Sequence, residues 1–276
     1  VSVAFGAHSY AWMWSMPARP CLERLQALGF DEFELITMPG HLWPTEMSGA
    51  QRVSLRDWVE GEGATLRTLN HPGTDLNLAS PVPEVRAYSV QILAQVLALA
   101  ADLRCPAVVV VTGRVNPLLP APLEHHRQWV LDALRALVPV AEDLGVRLAL
   151  ENIPLGPLPR ARDLLDAVAW LNSPAVAVCW DAANAHFCGE DPAEGLREVA
   201  PWLEVVHLSD TDRSSWRHDV IGTGAVDFAS VLQAARDVGH ARKPLLELCI
   251  RNPEEGHRAS LSRLAALETT ERLQRE

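Results

Sequence analysis

Four residues of types that bind hard metal ions stand at the ends of four successive apolar runs. Leu148-Ala149-Leu150 leads into Glu151, Val176–Trp180 leads into Asp181, Glu204–Leu208 carries His207 and Pro244–Leu248 carries Glu247. Their separations are 30, 26 and 40 residues, about one strand–helix unit each. Taken alone, each reads as a helix N-cap, a loop acceptor or half of an ion pair. Together they invite a different reading. Three carboxylates meeting in a poorly solvated place repel one another, and a divalent cation relieves that repulsion. Three carboxylates with one imidazole make a mostly oxygen site for one ion, with Mn²⁺, Mg²⁺, Co²⁺ and Zn²⁺ all admissible. Such a site suits proton transfer beside a carbonyl. A metal-chelated α-hydroxy ketone loses its α-proton to a carboxylate, giving a stabilised enediolate. Returning the proton on the opposite face epimerises the carbon, and returning it to the neighbouring carbon interconverts aldose and ketose. Expelling a β-hydroxyl makes the same site a dehydratase.

Strand-like segments must place these residues. Continuous apolar runs occur at Val3–Ala7, Glu32–Ile36, Thr65–Leu69, Ala107–Val111, Arg147–Leu150, Val176–Trp180, Glu204–Leu208 and Pro244–Leu248, as expected for strands covered on both faces. Helical periodicity is clearest over Val85–Leu103 and around Val130, Leu134, Leu137, Val138, Ala141 and Leu144. Junctions such as ALGFDEFEL and DLGVRLALE run through Gly from a helix end into the next strand. Eight strand–helix alternations predict one α/β domain over residues 1–276, a (β/α)8 TIM barrel. The alternative is an open doubly wound sheet, but no G-x-G-x-x-G follows the first strand. The segments NPLLPAPLE (Asn116–Glu124) and IPLGPLPR (Ile153–Arg160) then read as βα loops at the functional face.

Composition narrows the class. A formal net charge of −11 disfavours phosphate backbones, so no nucleic acid partner is expected. No apolar run reaches the roughly 20 residues of a membrane span, and VSVAFGAHSY lacks the pattern of a secretory leader. Cys21, Cys105, Cys179, Cys188 and Cys249 contain no C-x-x-C pair. They read as buried thiols in a reducing cytoplasm.

The order Glu, Asp, His, Glu on strands five to eight resembles the xylose isomerase-like barrels: sugar isomerases, ketose 3-epimerases, inosose dehydratases and apurinic-site endonucleases. LNHPGTDLNLAS, LALEN, WDAANAH with GEDP, VVHLSDTDR, HDVIGTGAVDF and LLELC carry the resemblance over almost the whole chain. It implies that Glu151, Asp181, His207 and Glu247 are metal ligands, that Glu151 and Glu247 are also the acid/base pair, and that Arg213 and His71 line the substrate. The implied substrate is a carbohydrate or polyol, free or phosphorylated, and a homo-oligomer is an implication of the resemblance alone. His186 and His218 flank the two most family-like motifs and join the substrate-binding candidates with Asn184, Trp12 and Trp43. Trp12, Trp14 and Trp43 lie in the first two βα loops, where they either stack on sugar faces or close the barrel top. Glu34, His8 and His41 read as structural. Five positions depart from family patterns. Val111-Thr112, Asn184 and Trp216 stand where the three-metal endonucleases place ligands, which argues for one metal and against DNA repair. Pro157 replaces a glutamate of some ketose epimerases, so contacts in that loop must differ.

Overall fold

The computed structural model describes residues 4–73 and 75–275, with side chains described through residue 267. Eight strands form a closed parallel barrel in chain order: β1 (Gly6–His8), β2 (Glu32–Ile36), β3 (Thr65–His71), β4 (Ala107–Val111), β5 (Arg147–Glu151), β6 (Val176–Asp181), β7 (Leu203–Leu208) and β8 (Leu245–Leu246). Helices α1 (Ala18–Ala27), α2 (Gly49–Gly61), α3 (Pro83–Asp102), α4 (Leu123–Leu144), α5 (Ala161–Leu171), α6 (Ala182–Phe187), α7 (Pro192–Val199), α8 (Phe228–Asp237) and α9 (Pro253–Arg275) cover its outside. No helix among the described residues is long and apolar enough to cross a membrane.

The unbroken apolar character of the strands has a plain cause. One set of side chains packs outward on the helices: Val108, Val110, Leu148, Leu150, Val178, Trp180, Val206 and Leu246 all belong to the large core. The alternate set, Val109, Ala149, Cys179, Val205 and Leu245, forms its own cluster inside the barrel, because successive side chains leave opposite faces of a strand. Both sets are buried, so no polar alternation survives in the sequence.

The strand ends differ from the sequence reading in ways that bear on the site. The first strand begins at Gly6 rather than Val3, which lies outside the described residues. Strands β3, β5 and β6 run on to His71, Glu151 and Asp181. Polar residues extend them because parallel partners remain available, as in the Val111↔Glu151 and Asp181↔His207 pairs. Strand β8 shrinks to two residues, and Glu247 stays aligned through its N–H, which donates to Leu208 O at 3.1 Å.

Candidate metal centre and active site

Four side chains enter the barrel mouth from four consecutive strands. Ala149, Cys179, Val205 and Leu245 face the interior, and Glu151, Asp181, His207 and Glu247 each follow two residues later, on the same inward face. One donor atom from each lies within 4.8 Å of the others. Asn152 steadies this edge. Its Oδ1 accepts from Asp181 N at 2.8 Å, and its Nδ2 donates to Asp181 O at 3.0 Å. Asp181 also caps α6 by accepting from Asn184 N at 2.6 Å. Its other oxygen, Oδ2, is buried and accepts no hydrogen bond among the described residues.

The barrel treats its two ends differently. At the N-terminal end of β7, buried Glu204 is matched by Arg147 and Arg242. At the C-terminal end, no Arg or Lys among the described residues pairs with Glu151, Asp181 or Glu247; only imidazoles do. The electrostatic consequences are large. Burial, reinforced by Glu247 and Asp181 and opposed by a hydrogen bond from His207, pushes the Glu151 carboxyl up to about 7. Burial likewise pushes Asp181 up to about 6, with Glu247 adding to the rise and His218 opposing it. Glu247 goes the other way. Burial opposes its charge, but His207 and His218 outweigh burial and hold it well below the usual carboxylate range. Burial disfavours a charged His218, yet Glu247 and Asp181 raise it to about 9. Three buried carboxylates, one imidazole and an orphaned carboxylate oxygen fit one divalent cation. Cys179 Sγ also lies 3.5 Å from His207 Nδ1, but burial pushes this thiol well above 9, so it enters as a neutral neighbour.

Behind His207 lies a buried polar layer. His207 Nδ1 is 3.3 Å from both Glu151 Oε1 and Glu247 Oε2, while Nε2 is 3.0 Å from Glu34 Oε1. Nδ1 is therefore the nitrogen that would face a metal in this cluster, with Glu34 at the other nitrogen, the arrangement outer carboxylates make with metal-binding histidines. Glu34 in turn accepts from Asn70 Nδ2 at 3.0 Å and from the Thr68 hydroxyl. His8 Nε2 lies 2.9 Å from Glu34, at ion-pair distance although not aligned as a hydrogen bond. Its Nδ1 accepts from Tyr10 N at 2.8 Å, which places the ring proton on Nε2. Burial pushes the Glu34 carboxyl up, but His207 and His8 together prevail and hold it far below the usual range. The sequence reading of Glu34 and His8 as structural missed this layer. Its signal was a carboxylate set inside the run Phe33-Glu34-Leu35-Ile36 rather than at its end.

A cavity of about 500 Å³ opens above the cluster, with Glu151, Glu247 and His218 in its wall together with Tyr10, Asn70, Arg114, Trp216 and Cys249. Other sequence candidates lie off this wall. Asn184 is buried beneath Trp216, whose Nε1 donates to its Oδ1 at 2.7 Å. His71 is buried with Nδ1 3.0 Å from the Thr37 hydroxyl, and half-buried Trp43 packs beside it. Trp12 packs into the core against His257 on α9, because the short helical turn at Tyr10–Trp12 rotates it away from the mouth. Arg213 and His186 line a separate surface depression of about 420 Å³ with Asp191 and Asp227. The reason is local: Asp212 accepts from Ser214 N and Ser215 N, so Arg213 sits on the outside of a tight turn. The returning chain brings Trp216 and Arg217 to the cavity instead. His41 is held by Met16 O at 2.6 Å and the Ser9 hydroxyl at 2.9 Å, as a structural histidine.

Comparison with known proteins agrees with the barrel fold. A D-psicose 3-epimerase of Ruminiclostridium cellulolyticum is 22% identical over 251 residues, 86% of this chain and 80% of that protein. A probable endonuclease 4 of Mycobacterium ulcerans is 30% identical over 196 residues, 65% of this chain and 73% of that protein. The solved structure of a D-tagatose 3-epimerase-like protein shares the fold, with a TM-score of 0.81 and 23% identity over 96% of this chain and 98% of that one. The family model described as xylose isomerase-like TIM barrel matches residues 22–267, and the chain belongs to that family.

Proposed function

We propose that this protein is a divalent-metal-dependent epimerase or isomerase of a small carbohydrate, with Glu151 and Glu247 as its acid/base pair. One observation carries the reading: Glu151 and Glu247 both belong to the four-donor cluster and both line the cavity. Glu151, Asp181, His207 and Glu247 would hold the metal, which supplies Lewis acidity toward a carbonyl oxygen and its neighbouring hydroxyl. The two glutamates leave β5 and the end of β8, three positions apart around a ring of eight strands. They can therefore approach a bound carbon from different sides. His218 lies 3.2 Å from Glu247 Oε2 and gives that carboxylate a polar partner at the cavity wall. Either glutamate can take the proton and the other return it. Trp216 and Tyr10 line the same cavity as the two glutamates. A D-psicose 3-epimerase among the relatives supports a ketose substrate.

The test is proton exchange. Metal-loaded protein incubated in D₂O with a panel of ketoses and inososes is expected to incorporate deuterium beside the carbonyl of at least one of them. Glu151→Gln and Glu247→Gln are each expected to keep the fold and reduce exchange at least about 10²-fold, the usual scale of general acid–base catalysis. Full exchange in both variants would remove the acid/base assignment. A product lacking one water would assign dehydration instead. Because several relatives are named probable endonuclease 4, abasic-site DNA belongs in the same panel. Val111, Asn184 and Trp216 at the divergent positions, and the charge of −11, support the expectation that it is not incised.

A further inference from the structure

From the cavity wall, we infer that the substrate carries an anionic group, a carboxylate or a phosphate, and that Arg114 at the mouth recognises it. This deepens the carbohydrate reading above and rests on it for the reaction, though not for the binding of the anion.

Two arginines line the cavity, and their situations differ. Arg217 is neutralised by Asp212 at 2.6 Å and Asp219 at 3.2 Å. Arg114 is exposed at the rim, and its guanidinium has no ion-pair or hydrogen-bond partner among the described residues. The wall also holds the carboxylates Glu151, Asp219 and Glu247, and none of them forms an ion pair with Arg114. A guanidinium stays charged at any physiological pH and binds carboxylate or phosphate through paired N–H groups. The metal-ligand cluster is buried and Arg114 is not, so a substrate spanning the cavity would put its reacting carbon at the cluster and its far end at Arg114.

The backbone that presents Arg114 is built for the purpose of holding it still. Asn77 Oδ1 accepts from Arg114 N at 3.0 Å, and Asn77 Nδ2 donates to Arg114 O at 2.9 Å. Val115 N donates to Leu155 O at 2.8 Å, tying the next residue to the loop after β5. Gly113 makes the turn possible: its φ is +112°, and a Cβ there would stand 2.5 Å from Asn77 Oδ1. An ordinary surface arginine has no such clamp. Preorganisation of the backbone lowers the ordering cost of binding.

The test uses three matched substrates on the metal-loaded protein: a neutral ketose, its terminal phosphate ester and the keto-acid with a carboxylate at that terminus. The charged forms are expected to exchange the α-proton with higher kcat/KM than the neutral ketose, and the better of the two identifies the anion. Arg114→Met is expected to lower kcat/KM for the charged form about 10- to 100-fold, mainly through KM, the scale of a lost charged hydrogen-bond pair. It should leave the neutral ketose nearly unchanged, and Arg114→Lys should recover part of the loss. Calorimetry with inorganic phosphate reads the same site without turnover, and Arg114→Met is expected to weaken that binding at least tenfold. Equal loss on charged and neutral ketoses, or phosphate binding identical in wild type and Arg114→Met, overturns the inference. If no sugar exchanges a proton but Arg114→Met still loses phosphate, the anion site stands and the epimerase reading falls. If neutral ketoses exchange best, the epimerase reading stands and the anion site falls.

Discussion

Glu34 stands beside the proposed metal site without being placed to touch an ion there. It is fully buried between two imidazoles, at 2.9 Å from His8 Nε2 and 3.0 Å from His207 Nε2. A buried carboxylate is tolerated only with partners, and here the partners are the groups that fix the His207 ring. Glu34→Gln is expected to leave the barrel folded, because Thr68 and Asn70 retain a polar partner. The amide removes the charge that favours Nε2–H and frees the ring to present the wrong nitrogen. Metal affinity should fall about 10- to 100-fold, the usual cost of losing such an outer partner. Competition with a chelator measures it, and an unchanged affinity would show that the four ligands orient themselves. At this scale the sequence was legible wherever a ligand-type residue ended an apolar run, as at Glu151 and Asp181. It misled at Arg213, because six residues of spacing from His207 do not say which residue of a turn faces inward. Asp212 decides that, by capping the turn and leaving Trp216 and Arg217 to return to the cavity.

At the level of elements, α7 packs against β6 at an unusually close approach. A Cβ on Gly195 would stand 2.2 Å from the Trp180 ring, and Trp180 Nε1 donates to Pro192 O at 2.9 Å. The indole is fully buried, so it has nowhere to move. Gly195→Ala is expected to destabilise the protein by about 1–3 kcal/mol, as overpacked core positions do. The readout is a lower thermal midpoint at unchanged metal stoichiometry, and an unaltered midpoint would mean that α7 shifts freely. The same contact bears on the site, since Trp180 immediately precedes Asp181. Element type and order were readable from apolar periodicity because each strand is covered on both faces. Element ends were not. The extension of β5 to Glu151 and of β6 to Asp181 depends on pairing with neighbours across the barrel, and pairing is not a local property.

The whole molecule should be sensitive to acid for reasons separate from the proposed metal ligands. His41, His71 and His257 are buried, and burial lowers each from the ordinary 6.5 to about 4. Met16 O partly opposes that drop at His41, as Pro253 O does at His257. The unfolded chain then binds more protons than the folded one between those values. Stability from these groups is fully present above about pH 6.5 and is lost as pH falls toward 4, at about 1.4 kcal/mol per group per pKa unit as an upper limit. Denaturant unfolding of chelator-treated protein is expected to show a falling midpoint across that window. His257→Gln should flatten the decline if it tolerates the core, and His41→Gln provides a second reading at a different element. A midpoint constant from pH 7 to 4.5 would remove the account.

Much of this protein was determined by sequence alone. Apolar runs covered on both sides, spaced by amphipathic helices, leave a closed parallel barrel as the economical arrangement. Period-two alternation then puts Glu151, Asp181, His207 and Glu247 on the inward face once the strands are known. Only the tertiary structure decided what surrounds them. Glu34 reaches His207 across the barrel, from β2 to β7, and His218 returns to Glu247 through an isolated hairpin-like bridge between Asp210 and Asp219. Arg114 gains its position from Asn77, 37 residues earlier in the chain. Local patterning selects which faces are buried. Contacts between distant segments select which polar groups meet, and that selection depends on closure of the ring.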